Sequence, residues 1–115
     1  MERSDRDFVL VRAGEMKRFE PEAGMVRRIG GSNEKLTLVE HRLAGGWVGA
    51  RHSHPHDQLT YVISGCLRMT VGAETVDMRP GDSLVMRGGV EHQGASPEGE
   101  TLVLDVFTPC REEYA

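Results

Sequence analysis

Three histidines and one glutamine carry spacing that can hold a metal ion. His52 and His54 lie two residues apart, so an extended backbone projects both imidazoles from one face, where they can share a cation. Gln58 stands an even number of residues further on, past a bend expected at Pro55 and Asp57, and the β-forming run Leu59 to Ile63 gives it a stiff support. His92 follows the turn Arg87-Gly88-Gly89-Val90. Any one of these histidines alone reads as a surface or hydrogen-bonded residue; together in register they read as ligands. Three imidazoles and an amide oxygen suit one divalent transition metal ion per chain, of the type Zn, Ni, Fe, Mn or Co, and the set does not choose among them. Gln58 also admits a second reading, as a hydrogen-bonding residue beside the ligands. His56 reads as solvent-exposed or substrate-facing and His41 as structural, while Arg51 alternates with the histidines and is expected to point away from them.

The elements that must position these side chains are short and extended. With 14 glycines and no long helical periodicity, the chain reads as all-β. Strands are expected at Phe8 to Val11, Met25 to Ile29, Lys35 to His41, Leu59 to Ile63, Cys66 to Val71, Glu74 to Met78, Ser83 to Met86 and Thr101 to Thr108. Turns are expected at Glu20 to Gly24, Gly30 to Asn33, Gly72-Ala73, Arg79 to Asp82 and Ser96 to Gly99. In the last strand, alternation puts Val103, Asp105 and Phe107 on one face and Leu102, Leu104 and Val106 on the other. A carboxylate on an inward face needs a partner, so Asp105 reads as a buried hydrogen-bonded or Arg-paired group. Core packing is the expectation for Trp47 and Tyr61.

Composition excludes several partners. A chain of 115 residues suggests one domain, 1–115. The net charge of -4 and the scattered basic residues argue against nucleic acid and against a polybasic membrane patch. No stretch approaches the roughly 20 apolar residues of a membrane span, and the charged start lacks the apolar region of a signal peptide, so a cytoplasmic location is expected. Cys66 and Cys110 make no C-x-x-C pair and read as two reduced thiols.

The order Gly46-x5-His52-x-His54-x3-Gln58-x6-Gly65 resembles the first cupin motif, with Gln where the family usually has Glu. Gly81-x5-Arg87-x-Gly89-x2-His92-x3-Ser96 resembles the second, with Arg87 for the usual Pro and Ser96 for the usual Asn. The resemblance implies a double-stranded β-helix, the jelly-roll cupin barrel. More narrowly, HSHPHDQLTYVISG and the ending Asp105-x-Phe107-x3-Arg111 resemble small cupins of the pectin-degradation type. Those relatives open 4,5-unsaturated monouronates to the linear keto form.

That resemblance implies His52, His54, Gln58 and His92 as metal ligands, Asp105 as the proton-transferring group and Phe107 as pocket wall. Arg111 is implied as the anchor for a small anionic sugar acid, against an ordinary tail salt bridge with Glu112 or Glu113. An amide in place of the usual carboxylate leaves the centre one positive unit higher, which weakens affinity, strengthens Lewis acidity and favours polarisation over oxygen activation. A homodimer is implied as well, with Phe8 to Val11 and Leu102 to Phe107 as candidate interface strands. The alternatives are another metal-dependent cupin enzyme, such as a dioxygenase or sugar isomerase, or a non-catalytic small-molecule-binding cupin.

Overall fold

The computed structural model describes residues 7–114. Among the described residues, nine strands form two sheets. In chain order they are β1 (Lys17–Glu22), β2 (Met25–Ser32), β3 (Thr37–Leu43), β4 (Asp57–Ser64), β5 (Leu67–Val71), β6 (Glu74–Met78), β7 (Ser83–Met86), β8 (His92–Ala95) and β9 (Thr101–Thr108). The larger sheet runs β1-β2-β3-β9-β4-β7 and the smaller β6-β5-β8. Pairing within both sheets is antiparallel, and the architecture is the jelly roll.

Period-2 alternation explains the interior. β3 buries Thr37, Val39, His41 and Leu43, β4 buries Gln58, Thr60 and Val62, and β9 buries Thr101, Val103, Asp105 and Phe107. One apolar cluster joins the sheets through Met25, Leu43, Val62, Leu67, Met69, Met78, Met86 and Val103, with Trp47 packed against it. A second, smaller cluster gathers Ile29, Val39 and Phe107 under Tyr114. Between them lie the buried polar residues His41, Gln58, Thr60 and Asp105. The apolar clusters hold the sheets, since removing a buried Met or Leu side chain typically costs about 2–5 kcal/mol. The polar layer is held by its own hydrogen bonds.

β9 is the central strand, paired with β3 on one edge and β4 on the other. In this register Asp105 sits opposite Val39 on β3 and Thr60 on β4, and Phe107 sits opposite Gln58. Two isolated bridges then tie the smaller sheet to the chain segment before β4, Val48 with Ala95 and His52 with His92.

Several expected boundaries shift. Phe8 to Val11 is not a strand: Phe8, Val9 and Leu10 are exposed and Val11 half-buried, and a 3-10 turn at Ala13–Glu15 follows before β1. The expected turn at Glu20 to Gly24 contracts to Ala23-Gly24, because β1 runs through Pro21 to Glu22. Proline is tolerated there since β1 is an edge strand, with an irregular register between Phe19 and Glu22. β2 continues through Gly30 and Gly31 to Ser32, and β3 covers Thr37–Leu43 in place of Lys35 to His41. Tyr61 is no core residue; it lies exposed on the outer face of β4 with Leu59 and Ile63. With both edges paired, β9 can offer a partner only its outward side chains.

Candidate metal centre and substrate pocket

The three histidines converge although His52 and His92 are far apart in sequence. His52 N–H donates to the His92 carbonyl (3.0 Å) and His92 N–H to the His52 carbonyl (2.8 Å), so the two form a hydrogen-bonded antiparallel pair with side chains on one face. Their ring centroids are 4.5 Å apart, and His54 lies 5.0 Å from His92 and 5.9 Å from His52. The loops that carry them are clamped: Gly89 N–H donates to the His54 carbonyl (2.8 Å) and Gly88 N–H to Asp57 Oδ1 (2.8 Å). Gly88 also has a steric reason, because a Cβ there would run into the Pro55 carbonyl oxygen. Gly65, at φ 85°, closes the turn after β4 where a Cβ would strike the Glu100 carbonyl.

The protonation pattern follows from the backbone. Nδ1 of His52 lies 2.9 Å from the Ala50 carbonyl, Nδ1 of His54 3.0 Å from that of His56, and Nδ1 of His92 2.9 Å from that of Val90. A carbonyl only accepts, so each Nδ1 carries the proton and each Nε2 keeps a lone pair for a ligand. Burial lowers the pKa of His54 and of His92, holding both neutral near pH 7. One ligand atom from each of His52, His54 and His92 falls within 4.8 Å of the others, the size of a single-ion site.

Gln58 completes the set. Its Oε1 lies 2.9 Å from His54 Nε2, and its Nε2 donates to Thr60 Oγ1 (3.0 Å) and Asp105 Oδ1 (2.9 Å). The amide cannot be reversed, because Asp105 Oδ1 can only accept from it. Two lone-pair atoms, His54 Nε2 and Gln58 Oε1, therefore face each other with no proton to share. A cation between them removes that conflict, and the donors fit a borderline divalent ion.

Asp105, Phe107 and Arg111 all reach the same cavity, which has a volume of about 100 Å³. Phe107 meets His54 edge-on at 5.4 Å and 79°. The Arg111 guanidinium lies 4.8 Å from the centre of the Phe107 ring and 4.3 Å from that of Tyr114, and its Nε donates to Glu113 Oε1 (2.6 Å). The tail salt bridge and the pocket position thus coexist. Asp105 is buried and accepts from His41 Nδ1 (2.8 Å), Thr60 Oγ1 (2.6 Å) and Gln58 Nε2 (2.9 Å). Burial pushes its carboxyl up, but the hydrogen bonds from His41, Thr60 and Gln58 leave it below the usual range.

Sequence reasoning passed over Arg27, Thr60 and Tyr114 and took His41 only as structural. Arg27 and His41 are neighbours on β2 and β3, both line the cavity, and Arg27 Nε donates to His41 Nε2 (3.0 Å). The Arg27 and Arg111 guanidiniums both lie over the Tyr114 ring, each 4.3 Å from its centre. The alternation of β3 placed His41 with Thr37 and Val39 on one face, and that was the signal available for it. His56 does not line the cavity, Arg87 is exposed away from it, and Arg51 points off to pair with Glu91. Trp47 both packs on the core and lines the cavity.

The Cupin domain family profile matches residues 39–107, which contain all of the histidines discussed and Gln58, Asp105 and Phe107. This chain is a cupin. It is 28% identical over 92 residues to the pectin degradation protein KdgF of Dickeya dadantii, covering 79% of this chain and 84% of that protein. The structure of KdgF from a Halomonas species superposes on it with a TM-score of 0.86 at 29% identity, covering 93% of this chain and 98% of that one. An RmlC-like cupin from Shewanella frigidimarina superposes with a TM-score of 0.85 at 25% identity, covering 92% and 95%. The cupin barrel and a likeness to pectin-degradation proteins are thereby established. Among the described residues no helix is long and apolar enough to cross a membrane.

Proposed function

We propose that this single-domain cupin is a metal-dependent enzyme that opens 4,5-unsaturated monouronates, the breakdown products of pectin or alginate, to their linear keto form. The observation that carries this reading is the meeting of two features at one cavity: His52, His92 and Gln58, which line it and converge with His54 as lone-pair donors, and an arginine, Arg111, lining the same space. His52, His54, Gln58 and His92 would hold one divalent transition metal ion, which supplies Lewis-acid polarisation of a substrate oxygen. Arg111 binds the uronate carboxylate, taking it in exchange for Glu113. Phe107 walls the ring.

Asp105, ionised, accepts the proton of the anomeric hydroxyl as the ring C–O bond at that carbon breaks. It returns the proton to C4 of the enolate, which becomes the ketone, so no net proton is gained or lost. The relatives named for pectin degradation support the substrate class. We place the protein in the cytoplasm as a homodimer, with no nucleic-acid or membrane partner.

The test follows the loss of enol-ether absorbance when lyase-generated unsaturated monouronate is mixed with metal-replete protein. A rate well above spontaneous opening that disappears in His92→Ala supports the assignment. No acceleration with any of several divalent metals rejects the substrate.

A further inference from the structure

The hydrogen bonds around Asp105 run in one direction only. Arg27 Nε can only donate, so His41 Nε2 accepts (3.0 Å) and the His41 proton sits on Nδ1, facing Asp105 Oδ2 (2.8 Å). The Thr60 hydroxyl gives its single proton to Asp105 Oδ1 (2.6 Å) and so accepts from Gln58 Nε2 (3.0 Å). Both protons of the Gln58 amide are thereby committed, one to Thr60 and one to Asp105, and its oxygen is left facing His54 Nε2. Thr60 is fully buried, and Asp105 and Gln58 are nearly so, which leaves little water to relieve a mismatch.

A glutamate at position 58 would set a third acceptor against Asp105 Oδ1 and Thr60 Oγ1, with one hydroxyl proton to share among them. We propose that Asp105 is the positioning residue that makes glutamine obligatory at position 58. The negative charge that a carboxylate ligand would bring to the centre resides on Asp105 instead, one amide away, and Asp105 aims the amide oxygen at the cation. This inference rests on the metal-site reading above, and it adds a second role for Asp105 that needs no substrate.

The experiment compares wild type, Gln58→Glu, Asp105→Asn and the double variant Gln58→Glu/Asp105→Asn. The readouts are thermal unfolding of the metal-free proteins and titration with Ni²⁺ and with Zn²⁺ in competition with a chelator. In the double variant the network is mirrored, because the amide introduced at position 105 can donate to the carboxylate introduced at position 58. The metal-free Gln58→Glu protein is expected to unfold roughly 5–15 °C below wild type, and the double variant to regain most of that loss. Asp105→Asn alone is expected to weaken metal binding roughly 10–100-fold, because the Gln58 amide is then free to turn its nitrogen toward the ion.

Unfolding losses in the double variant that equal the sum of the two single losses overturn the coupling. Wild-type metal affinity in Asp105→Asn overturns the inference while leaving the metal site standing. Absence of metal binding by the wild type rejects the metal site itself, and the metal-free unfolding series still reports on the Gln58–Asp105 coupling.

Discussion

Among the described residues, two places bring ligand-type atoms within 4.8 Å of one another, and they differ in whether their lone pairs are left free. At His52, His54 and His92 the backbone takes every Nδ1 proton, so three lone pairs point at the same space with nothing to claim them. At Cys66, Asp77 and Glu98 the carboxylates are already spoken for. Arg68 holds Asp77 through contacts of 2.8 and 3.1 Å, and Arg79 holds Glu98 through contacts of 2.7 and 3.0 Å. Burial also pushes the Cys66 thiol up from its ordinary value, which keeps it protonated and a poor ligand. Proximity of the right atoms is therefore not sufficient. What decides is whether their lone pairs are left uncommitted.

The strongest way to break this contrast is to remove one member from each cluster. His92→Ala is expected to lose metal binding by at least roughly 100-fold, read as metal content after dialysis, while Cys66→Ala retains the wild-type stoichiometry. Metal lost equally from both variants would reverse the assignment. Next in size, Arg111→Ala is expected to raise KM for the unsaturated uronate roughly 10–100-fold, since a charge-assisted hydrogen bond is worth about 1.5–3 kcal/mol. Metal affinity should stay within a few-fold, because Arg111 contacts Glu113, Phe107 and Tyr114 and no proposed ligand except through Phe107. A unified loss of metal and substrate binding would show that the two halves of the pocket are not separable.

Acid titration of the metal-free protein sharpens the comparison further. His54 and His92 have folded pKa values below the 6.5 of the unfolded chain, so the unfolded state takes up protons first and stability declines as pH falls below 6.5. Glu98 and Asp77 are held below 4.5 and 3.8 by Arg79 and Arg68, and Asp105 also lies below 3.8. Their contribution is complete above those values and disappears as pH falls through the folded pKa values. Unfolding followed from about pH 7 to about pH 2 should therefore show two declines. The upper one should diminish in His92→Ala and remain unchanged in Arg79→Ala. The smallest effect expected is that of Arg79→Ala on thermal unfolding near neutral pH, because exposed ion pairs contribute little. A large shift there would mean that the Arg-filled cluster has a structural importance its exposure does not suggest.

Much of the site was legible because its signals are local. The His52-x-His54 step and the Asp105-x-Phe107 step are period-2 statements that survive any tertiary arrangement, and β9 buries Val103, Asp105 and Phe107 as alternation requires. His41 was harder to read. Its alternation with Thr37 and Val39 was visible, but its importance depends on β3 pairing with β9, which brings it to Asp105 from a remote part of the chain. Phe8 to Val11 was misread because β propensity alone does not decide a strand, and none forms there.

By itself the sequence determined the strand periodicity, the stiff placement of Gln58 and the identity of the candidate donor atoms, because these depend on residue type and spacing along one extended segment. Only the tertiary structure decided which nitrogen of each histidine is free, which way the Gln58 amide points and that Arg27 and His41 stand behind Asp105. Those are properties of hydrogen bonds between strands distant in sequence, and a donor's direction does not exist until its acceptor is in place.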